Sequence, residues 1–291
     1  MFKTTLLTLI VTVFIYTQSA AAKPKTIKVS HLQNRPAIML KINDFKPMLF
    51  LVDTGFGGKI MLDNSVAKSL ELEHLASRTV NNLGMGNITI ESYAGVELKV
   101  EDITINLDEI EAQKNMSQML NQMGTDKHGN KPVGVVSPWL LTQGTITFYS
   151  DGLSIEIDDE ASLEQSDPSV LNYNFAAGIP AFQSNIGGKS YRTHLDTGSP
   201  TQLILPSKLI NDFEYLEEPQ KRGGAQTAGR KHNLWTAKLK GKVNISNITF
   251  DNPDVLFIEA FPAVNVGLKA LKNGSVTIDR KNQLIKFQVQ G

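Results

Sequence analysis

"LVDTGFGG" at residues 51–58 and "HLDTGSP" at 194–200 both set Asp-Thr-Gly at the end of a strand-like run, 143 positions apart. Chance supplies one such tripeptide in very roughly one chain in fifteen of this length. Two copies in matched surroundings need a common cause, and the surroundings match. "RPAIMLKINDFKPMLFLVDTG" runs from Pro36-Ala37 through a turn at Asn43-Asp44 into Asp53. "IPAFQSNIGGKSYRTHLDTG" runs from Pro180-Ala181 through a turn at Gly187-Gly188 into Asp196. Both read as β-hairpins with turn residues between alternating strands.

The repeat extends beyond the hairpins. Each Asp-Thr-Gly is followed by a short apolar stretch and a helix-like segment, "KIMLDNSVAKSLEL" and "QLILPSKLINDF". Gly-rich, strand-like sequence comes next in both halves. The ends correspond as well: Gly144 lies seven residues after Ser137, and Gly274 seven after Gly267. A lobe-sized internal repeat of this kind predicts two similar units in one chain. The polar, acidic run "DDEASLEQSDPSV" at 158–170 has no periodicity and reads as the linker between a first lobe at 23–157 and a second at 171–291. Segment 109–132 is longer than its counterpart and predicts a short helix and a loop, with Met116, Met119, Leu120 and Met123 expected as core packing rather than a binding surface.

Bulk properties exclude several classes. Residues 1–22 have a charged start at Lys3, an apolar run "LLTLIVTVFIYT" and "AAA" at Ala20–Ala22, the pattern of an export leader. The run is too short to span a bilayer comfortably, although an uncleaved anchor is the competing reading. A periplasmic or secreted location is expected, with no membrane span after cleavage. The chain has no cysteine, hence no disulfide and no thiol metal site. It carries 29 basic and 29 acidic residues, and removing Lys3 with the leader leaves a formal charge of −1, so no basic field for nucleic acid exists. His31, His74, His128 and His232 are scattered, and neither Asp-Thr-Gly has a His or carboxylate cluster at ligand spacing; no metal and no cofactor are expected.

Two Asp-Thr-Gly loops, each followed later by an apolar-apolar-Gly type segment, resemble the pepsin/retropepsin superfamily of aspartic peptidases. The likeness covers nearly all of the chain from about residue 27, and "DTGF" followed by Gly is most similar to the small bacterial retropepsin-like proteins. The resemblance implies an all-β fold, mainly strand with a few short helices, in two pseudo-twofold-related β-barrel lobes. Each lobe gives one catalytic Asp, Asp53 and Asp196, to a cleft between them. It implies a monomer acting on peptide or protein substrates. It gives Thr54 and Thr197 an interlocking role across the pseudo-twofold axis, and makes Leu51 and His194 subsite walls; an ordinary half-buried histidine is the other reading of His194. A hairpin at Gly84-Met85-Gly86 is the candidate cover over substrate, with Gly223–Gly229 second and a plain β-turn as the alternative.

The chemistry stands on the residues themselves. Two carboxylates a few Å apart cannot both ionise cheaply, so they share one proton. The ionised member takes a proton from a water between them while the protonated one polarises a carbonyl. Gly55 and Gly198 allow the sharp turn that brings amides close to each carboxylate. Ser199 is expected to donate to Asp196, and alternation puts Leu49 and Leu51 on the face of Asp53 and Arg192 and His194 on that of Asp196. On those grounds Asp53 holds the shared proton and Asp196 is the base. Two departures touch the first lobe: Phe56 stands where Ser199 does in the second, and Ser137 where Gly267 does. Ser137 in the place of a packed glycine is the signature of the alternative, a peptide-binding protein with weak or no hydrolysis. A β-rich ligand-binding or structural protein is a third class, one that leaves the paired motif without an explanation.

Overall fold

The computed structural model describes residues 23–82, 86–114, 116–150, 154–227, 230–259, 261–271 and 274–288. The export leader read over 1–22, the cover residue Gly84 and the end of Gly223–Gly229 lie outside them. The fold is mainly β with short helices, and its two lobes are built alike.

Both repeat hairpins form in matched register. Strand Pro36–Ile42 pairs with Met48–Val52, setting Ala37 opposite Leu51. Strand Ile179–Ile186 pairs with Lys189–Leu195, setting Ala181 opposite His194. Along Pro36–Ile42 the residues Ile38, Leu40 and Ile42 are buried while Met39 is exposed, the two-residue period that fixes which face meets the core. Each hairpin is entered through a turn of two left-handed residues, Gln33-Asn34 in one lobe and Ala177-Gly178 in the other. Two successive positive φ values match the twist of flanking strands.

In the first lobe eight strands form one sheet, and a second pairing of Pro36–Ile42, with Gly86–Val100, closes it on itself. Ten strands form the corresponding sheet of the second lobe. A six-stranded sheet joins the lobes, with strands Lys25–Lys28, Ser154–Asp158 and Thr145–Tyr149 on one side and Ser275–Asp279, Leu284–Gln288 and Val170–Asn172 on the other. Thr147 pairs with Thr277 at its centre, their hydroxyls 2.9 Å apart, so the pseudo-twofold axis passes between equivalent residues. The repeated glycines mark backbone close approaches: a Cβ on Gly144 would strike the Asp158 carbonyl oxygen, and one on Gly274 that of Gln288. Residues 159–169 hold turns and irregular chain between Ser154–Asp158 and Val170–Asn172, as the linker composition predicts. No helix among the described residues is long and apolar enough to cross a membrane.

The helix-like segments after the two motifs differ. Asn64–Ser69 is α-helical, begun by Asp63, whose carboxylate accepts from the Ser65 amide. Ser207–Asp212 is a 3₁₀ turn without a side-chain cap, because Pro206 stands at the capping position and has no acceptor side chain.

Candidate active site

Each Asp sits on a loop held by the same three-strand arrangement. Met48–Val52 runs parallel to Pro132–Val136, which pairs antiparallel with Ile60–Asp63. In the second lobe Lys189–Leu195 runs parallel to Val264–Val266, which pairs antiparallel with Leu203–Pro206. The Asp53 amide donates to Val136 O at 3.0 Å and the Asp196 amide to Val266 O at 2.9 Å. Tight turns follow, with Phe56 N to Asp53 O at 3.3 Å and Ser199 N to Asp196 O at 3.1 Å. The repeat in sequence is thus a repeat in backbone geometry.

The threonines lock the loops together. Thr54 Oγ1 accepts from Thr197 N at 3.0 Å and donates to Leu195 O at 2.8 Å. Thr197 Oγ1 accepts from Thr54 N at 3.0 Å and donates to Val52 O at 2.9 Å. Both threonines are wholly buried, so all four bonds form without competition from water.

This grip brings the carboxyls together. Asp53 Oδ1 and Asp196 Oδ1 each lie 3.0 Å from the point where a Cβ on Gly55 would stand. They are therefore at most twice that far apart, within the ~6 Å that one water can bridge. Two buried carboxyls this close cannot both ionise cheaply, so the pair shares one proton. A Cβ on Gly198 would press into the Asp53 carboxylate, the reason only glycine fits there. Gly55 N donates to Asp53 Oδ1 at 2.6 Å.

The grounds read from sequence for a proton on Asp53 are not met in the structure. Ser199 Oγ is turned to Thr201 Oγ1 at 2.8 Å rather than to Asp196. Arg192 is exposed, and burial holds the His194 ring below its usual range, so it brings no positive charge. Burial pushes both carboxyls up, Asp196 well above its ordinary value because the charge of Asp53 faces it. Hydrogen bonds support both carboxylates, from the Gly55 amide at Asp53 and from Asn265 at Asp196. The stronger upward push on Asp196 favours the shared proton there, within one jointly titrating pair.

Two residues around the dyad were not foreseen. Asn265 Nδ2 donates to Asp196 Oδ2 at 3.0 Å. Its repeat partner is Val135, and a polar residue in that apolar run was the available signal. Arg35 lies before the repeat proline, where the other half has Ile179; its Nε donates to Gly198 O at 2.7 Å, tying first-lobe chain to the second loop.

A cavity of about 720 Å³ opens over the dyad. Leu51, Gly55, Phe56 and Gly198 line it, as do Val80, Ile88 and Ile90 of the hairpin formed by His74–Asn82 and Gly86–Val100. Gly86 pairs with Asn82 at the turn end of that hairpin. His194 is not among the lining residues; its Nε2 is buried without a hydrogen-bond partner. The methionine segment packs as expected, Met116 and Leu120 in a buried cluster that Met119 and Met123 join, and the same residues also lie along the cavity wall. These side chains pack together and bound the cleft at once, which one-dimensional periodicity cannot distinguish from simple core.

Ser137 does not crowd Asp53. Its hydroxyl accepts from Trp139 N at 3.4 Å, beginning the 3₁₀ turn Pro138–Leu140. At Gly267 a side chain would collide with the Thr201 carbonyl oxygen, which closes off the space Ser137 enjoys. Gly267→Ser is accordingly expected to destabilise the chain by roughly 1–3 kcal/mol, and Ser137→Gly by only about a few tenths of a kcal/mol. Urea unfolding of the two variants checks this; equal losses would contradict it. Phe56 packs over Gly58, where a Cβ would meet the phenyl ring, and contributes to the apolar lining.

Among the described residues no group of three or more His, Asp or Glu is placed to hold a metal ion. Neither a scan against protein-family models nor a search of curated proteins finds a match to this sequence.

Proposed function

We propose that the protein is an aspartic endopeptidase of the bilobal pepsin/retropepsin type, exported from the cell, that hydrolyses peptide bonds with a water held between Asp53 and Asp196. The observation that carries this is the pair of closely facing carboxyls on interlocked Asp-Thr-Gly loops at the floor of a cleft. Asp53 takes a proton from the water as its oxygen bonds to the scissile carbonyl carbon, while Asp196 gives its proton to the carbonyl oxygen. Collapse of the tetrahedral diol breaks the C–N bond, with a proton passing to the leaving nitrogen. Thr54 and Thr197 hold the carboxyls in register, and Asn265 orients Asp196.

The apolar hairpin and helix suit an extended peptide with bulky side chains. Ser137, the feature that favoured a non-hydrolysing binding protein, is accommodated away from the dyad. The test is digestion of a mixed peptide library between about pH 4 and 7 by the parent and by Asp53→Asn. New peptide termini made by the parent and missing with the variant are expected. Saturable peptide binding with no cleavage by the parent would overturn the reading.

A further inference from the structure

The two halves of the cleft differ in chemistry although the lobes share a backbone plan. Leu51 pairs with Val135 in the first lobe. His194 pairs with Asn265 at the equivalent positions of the second. The helix Met116–Asn121 walls the first-lobe side, and the short stretch between Asp254–Ile258 and Val264–Val266 holds no counterpart among the described residues.

The residues before the repeat prolines cross between lobes and sharpen the contrast. Gly178 backs onto the first loop, where its Cβ would meet Gly57 Cα at 2.8 Å, and Ile179 beside it adds apolar lining. Arg35 reaches the other way, to Gly198 of the second loop. Its Nη1 is only loosely engaged, 3.5 Å from Leu32 O and Gln33 Oε1, and it forms no salt bridge among the described residues. The guanidinium lines the cavity with donors to spare.

We propose, resting on the peptidase reading, that the preferred substrate carries a large flexible apolar residue on one side of the scissile bond and an acidic residue on the other, the latter seated on Arg35. A guanidinium offers a carboxylate two parallel hydrogen bonds, which glutamine in the same place cannot match. With one proton shared, the dyad bears a single negative charge that Arg35 offsets. On the opposite side, methionine side chains adapt to bulky apolar groups without demanding one shape.

The experiment is a digest of an unbiased, proteome-derived peptide mixture by the full chain, with cleavage sites read by mass spectrometry. Kinetics on a matched pair of peptides that differ only by Glu against Gln at the enriched position follow. Expected are sites with Leu, Met or Phe on one side and Asp or Glu on the other, and kcat/KM about tenfold higher for the Glu peptide. Arg35→Gln is expected to erase that ratio and Arg35→Lys to keep part of it. Cleavage that depends on Asp196 but treats Glu and Gln alike would overturn the inference and leave the peptidase reading standing. Absence of any Asp196-dependent cleavage would instead remove the reading on which it rests. The Glu/Gln comparison in the parent decides the matter even where an Arg35 variant folds poorly.

Discussion

Asp196→Asn is expected to abolish cleavage and, at pH 7, to raise the melting temperature. The loss of activity follows from chemistry: an amide neither donates the proton that Asp196 delivers nor shares one with Asp53. A fall of at least about 10³-fold in kcat/KM is the scale for removing such a group. The gain in stability follows from electrostatics. Burial raises the pKa of Asp196, and the charge of Asp53 raises it further. A carboxyl raised on folding is fully stabilising below its unfolded value and progressively less so as pH climbs through the raised one. The parent therefore gives up stability from about pH 4 upward, and the asparagine variant gives up only the share that burial of Asp53 leaves. A difference of roughly 3–6 °C at pH 7, closing as pH falls to 4 and below, is expected from thermal melts across that range. A variant that melts lower than the parent at pH 7, with cleavage intact, would contradict both halves of this result.

Thr197→Val is expected to cost the fold more than any other single change near the dyad that leaves both carboxyls in place. Valine keeps the shape and removes the hydroxyl that bonds Thr54 N and Val52 O. Both partners then stay buried and unpaired, at about 1–3 kcal/mol each, so a loss of roughly 2–5 kcal/mol is anticipated in urea unfolding. The loops it joins belong to different lobes, so kcat falls too, as the carboxyls drift out of register. Thr197→Ser keeps the hydroxyl and restores most of both. An unaltered unfolding midpoint for Thr197→Val would show that the two loops are held by something other than the threonine grip.

Much of this site was legible along the chain. Asp53 and Asp196, their glycines and their threonines all fall where a repeat with matched turns and matched end glycines puts them. Local signals sufficed because each hairpin follows from turn residues and a two-residue burial period, both properties of neighbouring positions. Arg35 and Asn265 were visible only as mismatches between the halves, arginine for isoleucine and asparagine for valine. Such mismatches have no meaning until the facing residue is known. The Ser199 hydroxyl shows the opposite failure: its type and position suited a bond to Asp196, and Thr201 captured it because that neighbour lies closer in the folded turn.

By itself, then, the sequence determined the two-lobe plan and the identity of the facing carboxyls, since repeats, turns and burial periods are encoded within a few residues of each other. Only the tertiary structure decided that Asn265 reaches Asp196, that Arg35 reaches the second loop, and which side chains line the cleft. Those depend on contacts between residues far apart in the chain, such as the bond from Arg35 to Gly198, and on the burial they create.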